Sequence, residues 1–273
     1  MAVGVPITTK QVEVNDVLYN YSVQGKKGQP WITFSHALAN NLTLWDDIVD
    51  KLGDEYMILR FDHPGHGGSQ AVPGPYSFDM LIENAIGLWD ELNIQKSHWV
   101  GLSIGGMMGY GLAARYPNRL KSLIACDSRP DAPPEYAEYF QYRIDTARKN
   151  GMEGLVKSSI ERWFTPESVA NNIPCLDKVR EMILATDPMG HEGCCEALKK
   201  LSFGPILNQI KIPTLVLGGL NDKGAPVDIL AETAAQIPGA KHAIIPGAGH
   251  ITVLENPDSF YQNVKEFLDG QLG

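Results

Sequence analysis

The chain opens with residue-by-residue alternation of apolar and polar positions. Gln11-Val12-Glu13-Val14 and Leu18-Tyr19-Asn20-Tyr21-Ser22-Val23 both follow it, with Asn15-Asp16 between them. A period of two predicts two half-buried strands, and Asn-Asp supplies the hairpin turn that joins them. Residues 25–30, rich in Gly and Lys, read as a loop. Compact apolar runs then recur at 31–34, 57–61, 98–102, 120–126, 214–218 and 242–246, each short enough to be a buried strand. Helical spacing separates them. Phe78, Leu81, Ile82, Ala85, Ile86, Trp89 and Leu92 fall at three- and four-residue steps. Met107, Met108, Tyr110, Gly111, Leu112 and Ala114 do so more weakly, and Pro117 stops that helix. Strand–helix–strand alternation implies parallel strands joined by crossover helices, hence an α/β sheet covered on both faces.

The alternation breaks between residues 129 and 207. Short helices are predicted there over 136–150, 155–162, 176–185 and 194–201, punctuated by Pro130, Pro133, Pro134, Pro166, Pro174 and Pro188. The expected organisation is a sheet domain made of 1–128 and 208–273, with residues 129–207 inserted as a helical cap. At 273 residues, 44% hydrophobic and 20% charged, the chain suits one large folded domain with an insert and excludes disorder or a coiled coil. The net charge of −9 argues against a nucleic-acid binder and against anchoring to an anionic membrane. No run approaches the roughly 20 apolar residues of a membrane helix. The opening Met-Ala-Val-Gly-Val-Pro lacks the basic-then-apolar pattern of a secretory leader. Four cysteines, of which Cys194 and Cys195 are adjacent, read as reduced thiols of a cytoplasmic protein, monomer or homodimer, acting on a small molecule.

Gly101-Leu102-Ser103-Ile104-Gly105-Gly106 carries the strongest chemical signal. It matches the Gly-x-Ser-x-Gly turn that lifts a nucleophilic serine between a strand and a helix. Side chains two residues either side of the serine would collide, hence the glycines, and the helix N-terminus brings its dipole to the reacting centre. A serine needs a base. Of the histidines after it, His191 falls in the cap and His242 begins a strand, whereas His250 follows the loop Pro246-Gly247-Ala248-Gly249. His250 is the expected base. An acid must hold the imidazole tautomer. Asp222, in the loop after the strand at 214–218, is favoured; Asp127, also just after a strand, is its rival. The oxyanion is expected to meet the backbone N–H groups of Ile104 and of Leu38. His36, beside the latter, is read as a satisfied structural histidine in preference to one that orients the loop. Trp163 and Phe164 from the cap, and Trp45, are candidate pocket residues. His63-x-x-His66 beside Asp62, and His191 with Cys194 and Cys195, are read as a glycine turn and a helix start in preference to metal ligands.

With these motifs in place, the chain resembles the α/β-hydrolase superfamily over nearly its whole length. It is most similar to the branch of 3-oxoadipate enol-lactonases and related esterases. The resemblance is carried by Ser35-His36-Ala37-Leu38 with Leu44-Trp45-Asp46, by Phe61-Asp62-His63-Pro64-Gly65-His66-Gly67-Gly68-Ser69, by the glycine-flanked serine, and by Ile212-Pro213-Thr214-Leu215 and Gly249-His250. In the cap it is carried by Arg162-Trp163-Phe164-Thr165-Pro166 and Gly193-Cys194-Cys195-Glu196-Ala197-Leu198. It implies cofactor-free hydrolysis of an ester or lactone through an acyl-serine. An enol-lactone is anionic, and Arg129 is the candidate cation for it. An uncharged lactone such as an acyl-homoserine lactone, or a simple ester, fits the same mechanism. Ala39 and Lys223 depart from the branch, which carries Gly at the first position and a small residue or Pro at the second. C–C bond hydrolysis, perhydrolysis on the same fold, and a non-catalytic ligand receptor are the alternatives.

Overall fold

The computed structural model describes residues 8–271; the opening Met-Ala-Val-Gly-Val-Pro, read above for a leader, lies outside them. Asn15 and Asp16 both adopt positive φ, as a tight two-residue hairpin turn demands. They join β1 (Lys10–Val14) to β2 (Val17–Gly25) in antiparallel register, Val14 opposite Val17. Six further strands follow: β3 (Trp31–Ser35), β4 (Met57–Phe61), β5 (Ser97–Leu102), β6 (Leu120–Cys126), β7 (Thr214–Gly219) and β8 (Lys241–Ile245). They form one sheet in the order β1-β2-β4-β3-β5-β6-β7-β8. From β4 onward every pairing is parallel, and every residue of the central β5 and of β7 is buried. That burial on both faces is why these runs are continuously apolar rather than alternating.

Helices α1 (Asp46–Leu52), α2 (Phe78–Glu91), α3 (Ile104–Arg115), α9 (Val227–Gln236), α10 (Thr252–Glu255) and α11 (Pro257–Asp269) accompany the sheet. Ser77 caps α2 by accepting the Met80 N–H, and α2 buries Phe78, Leu81, Ile82, Ala85 and Trp89, the stripe its spacing predicts. Between β6 and β7 stand α4 (Tyr136–Asn150), α5 (Glu153–Trp163), α6 (Pro166–Ala170), α7 (Cys175–Leu184) and α8 (Pro188–Leu198). The last differs from expectation. It begins at Pro188, not Cys194, because Asp187 caps it through the Met189 N–H and Pro188 occupies its first turn.

This helical segment is tied to the sheet domain at several points. Lys178 of α7 pairs with Asp46 at 3.0 Å, and the same carboxylate takes the buried Arg60 at 2.6 Å. The Asp187 N–H donates to the Gly65 carbonyl at 2.8 Å, and Gly65 and Gly190 pack so closely that a Cβ on either would strike the other's backbone. Among the described residues no helix is long and apolar enough to cross a membrane.

The strand order locates the site. β3 has β4 on one side and β5 on the other, so the chain leaves β3 and β5 in opposite senses and a crevice opens at their carboxyl ends. The two loops that border it carry Leu38 and Ser103.

Candidate active site

Ser103 sits between β5 and α3 at φ 55° and ψ −118°, a conformation few side-chain-bearing residues adopt. Neighbouring glycines make the turn possible. A Cβ on Gly101 would fall on the Gly105 carbonyl, and one on Gly105 would fall on the Ser35 carbonyl. The turn is held from below by the Ser103 N–H, which donates to Cys126 O on β6 at 2.9 Å.

His250 arrives from the loop after β8. Its Nε2 lies 3.0 Å from Ser103 Oγ, and its Nδ1 lies 2.8 Å from Asp222 Oδ2, in the loop after β7. A carboxylate oxygen only accepts, so Nδ1 carries the proton and Nε2 presents a lone pair to the serine hydroxyl. The second Asp222 oxygen accepts the Gly224 N–H at 2.6 Å. All three residues are buried, Ser103 and His250 at 8% exposure and Asp222 at 5%, which strengthens each contact relative to water.

Asp127, the rival acid, does not reach the imidazole. Its Oδ1 accepts the Gly219 N–H at 2.9 Å and its Oδ2 accepts the Thr252 hydroxyl. It thereby links the start of the Asp222 loop to the segment just past His250. Complete burial, together with the charge of Asp222 beside it, holds its carboxyl well above the usual carboxylate range.

Leu38 lines the cavity over Ser103, and Ile104 opens α3 directly behind it. Among the described residues neither N–H meets a protein acceptor, so both are free to donate. His36 braces the Leu38 loop. The His63 N–H donates to its Nε2 at 2.9 Å, so its proton resides on Nδ1 and goes to Ala37 O at 2.7 Å. Burial holds this imidazole well below the ordinary histidine range, which keeps it neutral, as both bonds require. Ala39, next to the loop's turn, has φ 56°, where glycine is at ease and alanine costs about 1 kcal/mol.

The cavity in front of Ser103 measures about 40 Å³ and is walled by Leu38, Met107, Tyr139, Arg143, Trp163 and Leu198, among others. Trp163 is therefore placed as expected, while three other expected pocket residues are not part of this wall. Trp45 is fully buried against Phe34 and Phe260 in the core. Phe164 is also core, just past the end of α5, where the backbone turns extended. Arg129 instead lies over the Tyr136 ring, its guanidinium carbon 5.3 Å from the centroid, outside the cavity lining.

Residues 30–257 match the family model described as alpha/beta hydrolase fold. The chain belongs to that family. Within the α/β hydrolases it is 31% identical to 3-oxoadipate enol-lactonase 2 of Acinetobacter baylyi, over 93% of this chain and 94% of that protein. The crystal structure of the enol-lactonase from Burkholderia xenovorans LB400 superposes with a TM-score of 0.92 at 32% identity, covering 95% of this chain and all of that one. A thermophilic esterase from Thermogutta terrifontis, solved with malate bound, gives 0.89 at 27% identity over 97% of this chain and all of that one. This likeness supports a hydrolytic function for the present α/β hydrolase.

Two site residues escape a reading of motifs. Glu255 closes α10 and clamps the His250 loop: its Oε2 accepts the Gly249 N–H at 2.7 Å, and its Oε1 accepts both the N–H and the hydroxyl of Thr165. A lone carboxylate ending the apolar stretch Ile251–Leu254 is the only mark it leaves in the sequence. The other is Arg143, a buried cation on the cavity wall, which leaves none.

Proposed function

We propose that this α/β hydrolase cleaves a small carboxylic ester or lactone through an acyl-serine, with Ser103, His250 and Asp222 as its triad. The observation that carries this reading is the continuous relay from the Ser103 hydroxyl through the imidazole to the Asp222 carboxylate, at 3.0 and 2.8 Å, on the floor of a cavity.

Ser103 attacks the carbonyl carbon as His250 Nε2 takes its proton. Asp222 steadies the imidazolium that results. The tetrahedral oxyanion accepts the N–H groups of Leu38 and Ile104, the latter reinforced by the dipole of α3. Collapse expels the alcohol, protonated by His250. In a lactone that alcohol remains tethered to the acyl group, so a single product leaves. Water then attacks the acyl-serine with His250 again as base. The cavity is walled largely by Met107, Tyr139, Phe140 and Trp163, apolar surfaces that suit a small organic ester or lactone. The helical segment between β6 and β7 serves as the cap, contributing Trp163 to the wall. Free cysteines at 126, 175, 194 and 195 suit a reducing cytoplasm.

Ser103→Ala tests the reading. Initial rates on p-nitrophenyl acetate and on a short lactone are expected to fall by roughly 10³-fold or more, with an unchanged circular-dichroism spectrum. Undiminished hydrolysis by the folded variant would refute it.

A further inference from the structure

Helix α4 carries tyrosines at 136, 139 and 142. A step of three residues turns each ring about 60° round the helix from the one before. The row leads from the catalytic cavity to solvent: Tyr136 is buried, Tyr139 half-buried, and Tyr142 is 59% exposed, the barest large apolar side chain among the described residues. Together with Glu135, Glu138 and Arg162, these rings wall an open groove of about 360 Å³. Tyr136, Tyr139 and Arg162 also wall the cavity over Ser103, so the groove continues that cavity outward.

The groove meets the cavity on the side of the general base. The Tyr136 hydroxyl donates to Gly224 O at 3.4 Å, and a Cβ on Gly224 would stand 3.3 Å from the His250 ring. Arg162 directs Nη2 toward Lys223 O, and the carbonyl of the next residue, Trp163, accepts the His250 N–H. A leaving alcohol must bring its oxygen within hydrogen-bond reach of His250 Nε2 to be protonated. The alcohol half of an ester therefore projects toward Tyr136 and Arg162, and onward into the groove. We infer that this groove binds the alcohol portion of the substrate, and that the preferred substrates are esters whose alcohol carries a neutral aromatic ring. The inference rests on the ester-cleaving reading of Ser103 and deepens it. Tyrosine faces and edges suit a flat ring, which gains from aromatic contact beyond the area it covers. The charges at the rim exclude both signs of ion: Glu135 and Glu138, which have no ion-pair partner among the described residues, oppose an anion, and Arg162, stacked on Tyr139 at 4.6 Å, opposes a cation. The ester bond breaks as described above, and the aromatic alcohol leaves through the groove with the proton from His250.

Two isomeric esters supply the test. Benzyl acetate and methyl phenylacetate have the same atoms, but the ring lies on the alcohol side of the first and on the acyl side of the second. Ethyl acetate lacks the ring, and cyclohexylmethyl acetate keeps its bulk without the π face. The wild-type enzyme is expected to favour benzyl acetate in kcat/KM by roughly tenfold over methyl phenylacetate and ethyl acetate, and by roughly threefold over the cyclohexyl ester. Tyr142→Ala is expected to lower the benzyl-to-ethyl ratio by roughly fivefold, chiefly through KM, and Tyr142→Phe, which keeps the ring, to preserve it. A tyrosine with a merely structural role would leave that ratio where it was. A carboxylate placed on the benzyl ring is expected to erase the preference. Equal rates on the two isomers, a preference for methyl phenylacetate, or a ratio that Tyr142→Ala does not move would overturn the inference while leaving ester hydrolysis intact. A cyclohexyl ester turned over as well as benzyl acetate would overturn the aromatic assignment. Should no ester be turned over, the triad reading fails, and ligand-observed NMR of benzyl alcohol still decides the groove: weaker binding by Tyr142→Ala than by wild type supports it, and equal binding overturns it.

Discussion

Two buried aspartates, Asp127 and Asp222, stand side by side at the ends of neighbouring strands, and only one touches the imidazole. On the proposed mechanism Asp222→Asn leaves a neutral amide opposite Nδ1, which no longer enforces the reactive tautomer. kcat is expected to drop by roughly 10³- to 10⁴-fold. Asp127→Asn keeps an acceptor for the Gly219 N–H and is expected to stay within roughly tenfold of wild type, since its hydrogen bonds go to Gly219 and Thr252 and none to Ser103, His250 or Asp222. Steady-state kinetics on one ester decide it, and the reverse ranking would move the acid to Asp127. Both residues follow a strand and both are carboxylates, so spacing alone favoured Asp222 without deciding it; the Thr252 hydroxyl and the Gly219 amide, which occupy Asp127, come from distant parts of the chain. Ser103 and His250 were readable because each stands in a local glycine setting that the backbone requires. Arg143 has no such setting. In sequence it is one more charge in a polar-looking helix, and Arg129 drew attention only because it follows a strand.

At the scale of elements, the hairpin strands and the long helices were legible because burial on one face imposes a period, and the central strands because burial on both leaves a short continuous apolar run. The helix α8 was misplaced at its start for the opposite reason. It buries Gly190, His191, Gly193, Cys194, Cys195, Ala197 and Leu198, so nearly all its faces are covered and no stripe survives, and two glycines dilute its propensity. The clamp that Glu255 makes between the His250 loop and the start of α6 was invisible because its partners, Gly249 and Thr165, lie on separate elements. Glu255→Ala would strand three donors and loosen the turn that aims His250. It is expected to lower kcat/KM by roughly 10- to 100-fold, and to lower Tm by about 3 °C for each kcal/mol lost. Differential scanning fluorimetry alongside kinetics would check both, and a variant with full activity and an unchanged Tm would show the clamp to be idle.

For the molecule as a whole, the buried histidines set the response to acid. Burial holds His63 at about 3, His66 and His98 at about 4, and His36 and His191 well below the ordinary range. In the unfolded chain each takes up a proton near pH 6.5. Between about pH 6.5 and 4 the unfolded state therefore binds more protons than the native one, and stability falls as pH falls. Asp62 and Asp127, raised by burial, act in the opposite direction, but they are two against five. Tm is expected to decline steadily from about pH 7 to about pH 4.5, and a flat or rising Tm over that range would contradict the assignment of these imidazoles as neutral. One further contact reaches across the molecule: the Trp163 carbonyl, at the end of α5, receives the His250 N–H at 2.6 Å. The helical segment and His250 are thus stitched together through main chain. On the proposed mechanism, any swing of that segment wide enough to part the stitch would disarm the base at the moment of admission, so traffic through the entrance compatible with a poised relay is limited to side-chain movements around a stationary lintel.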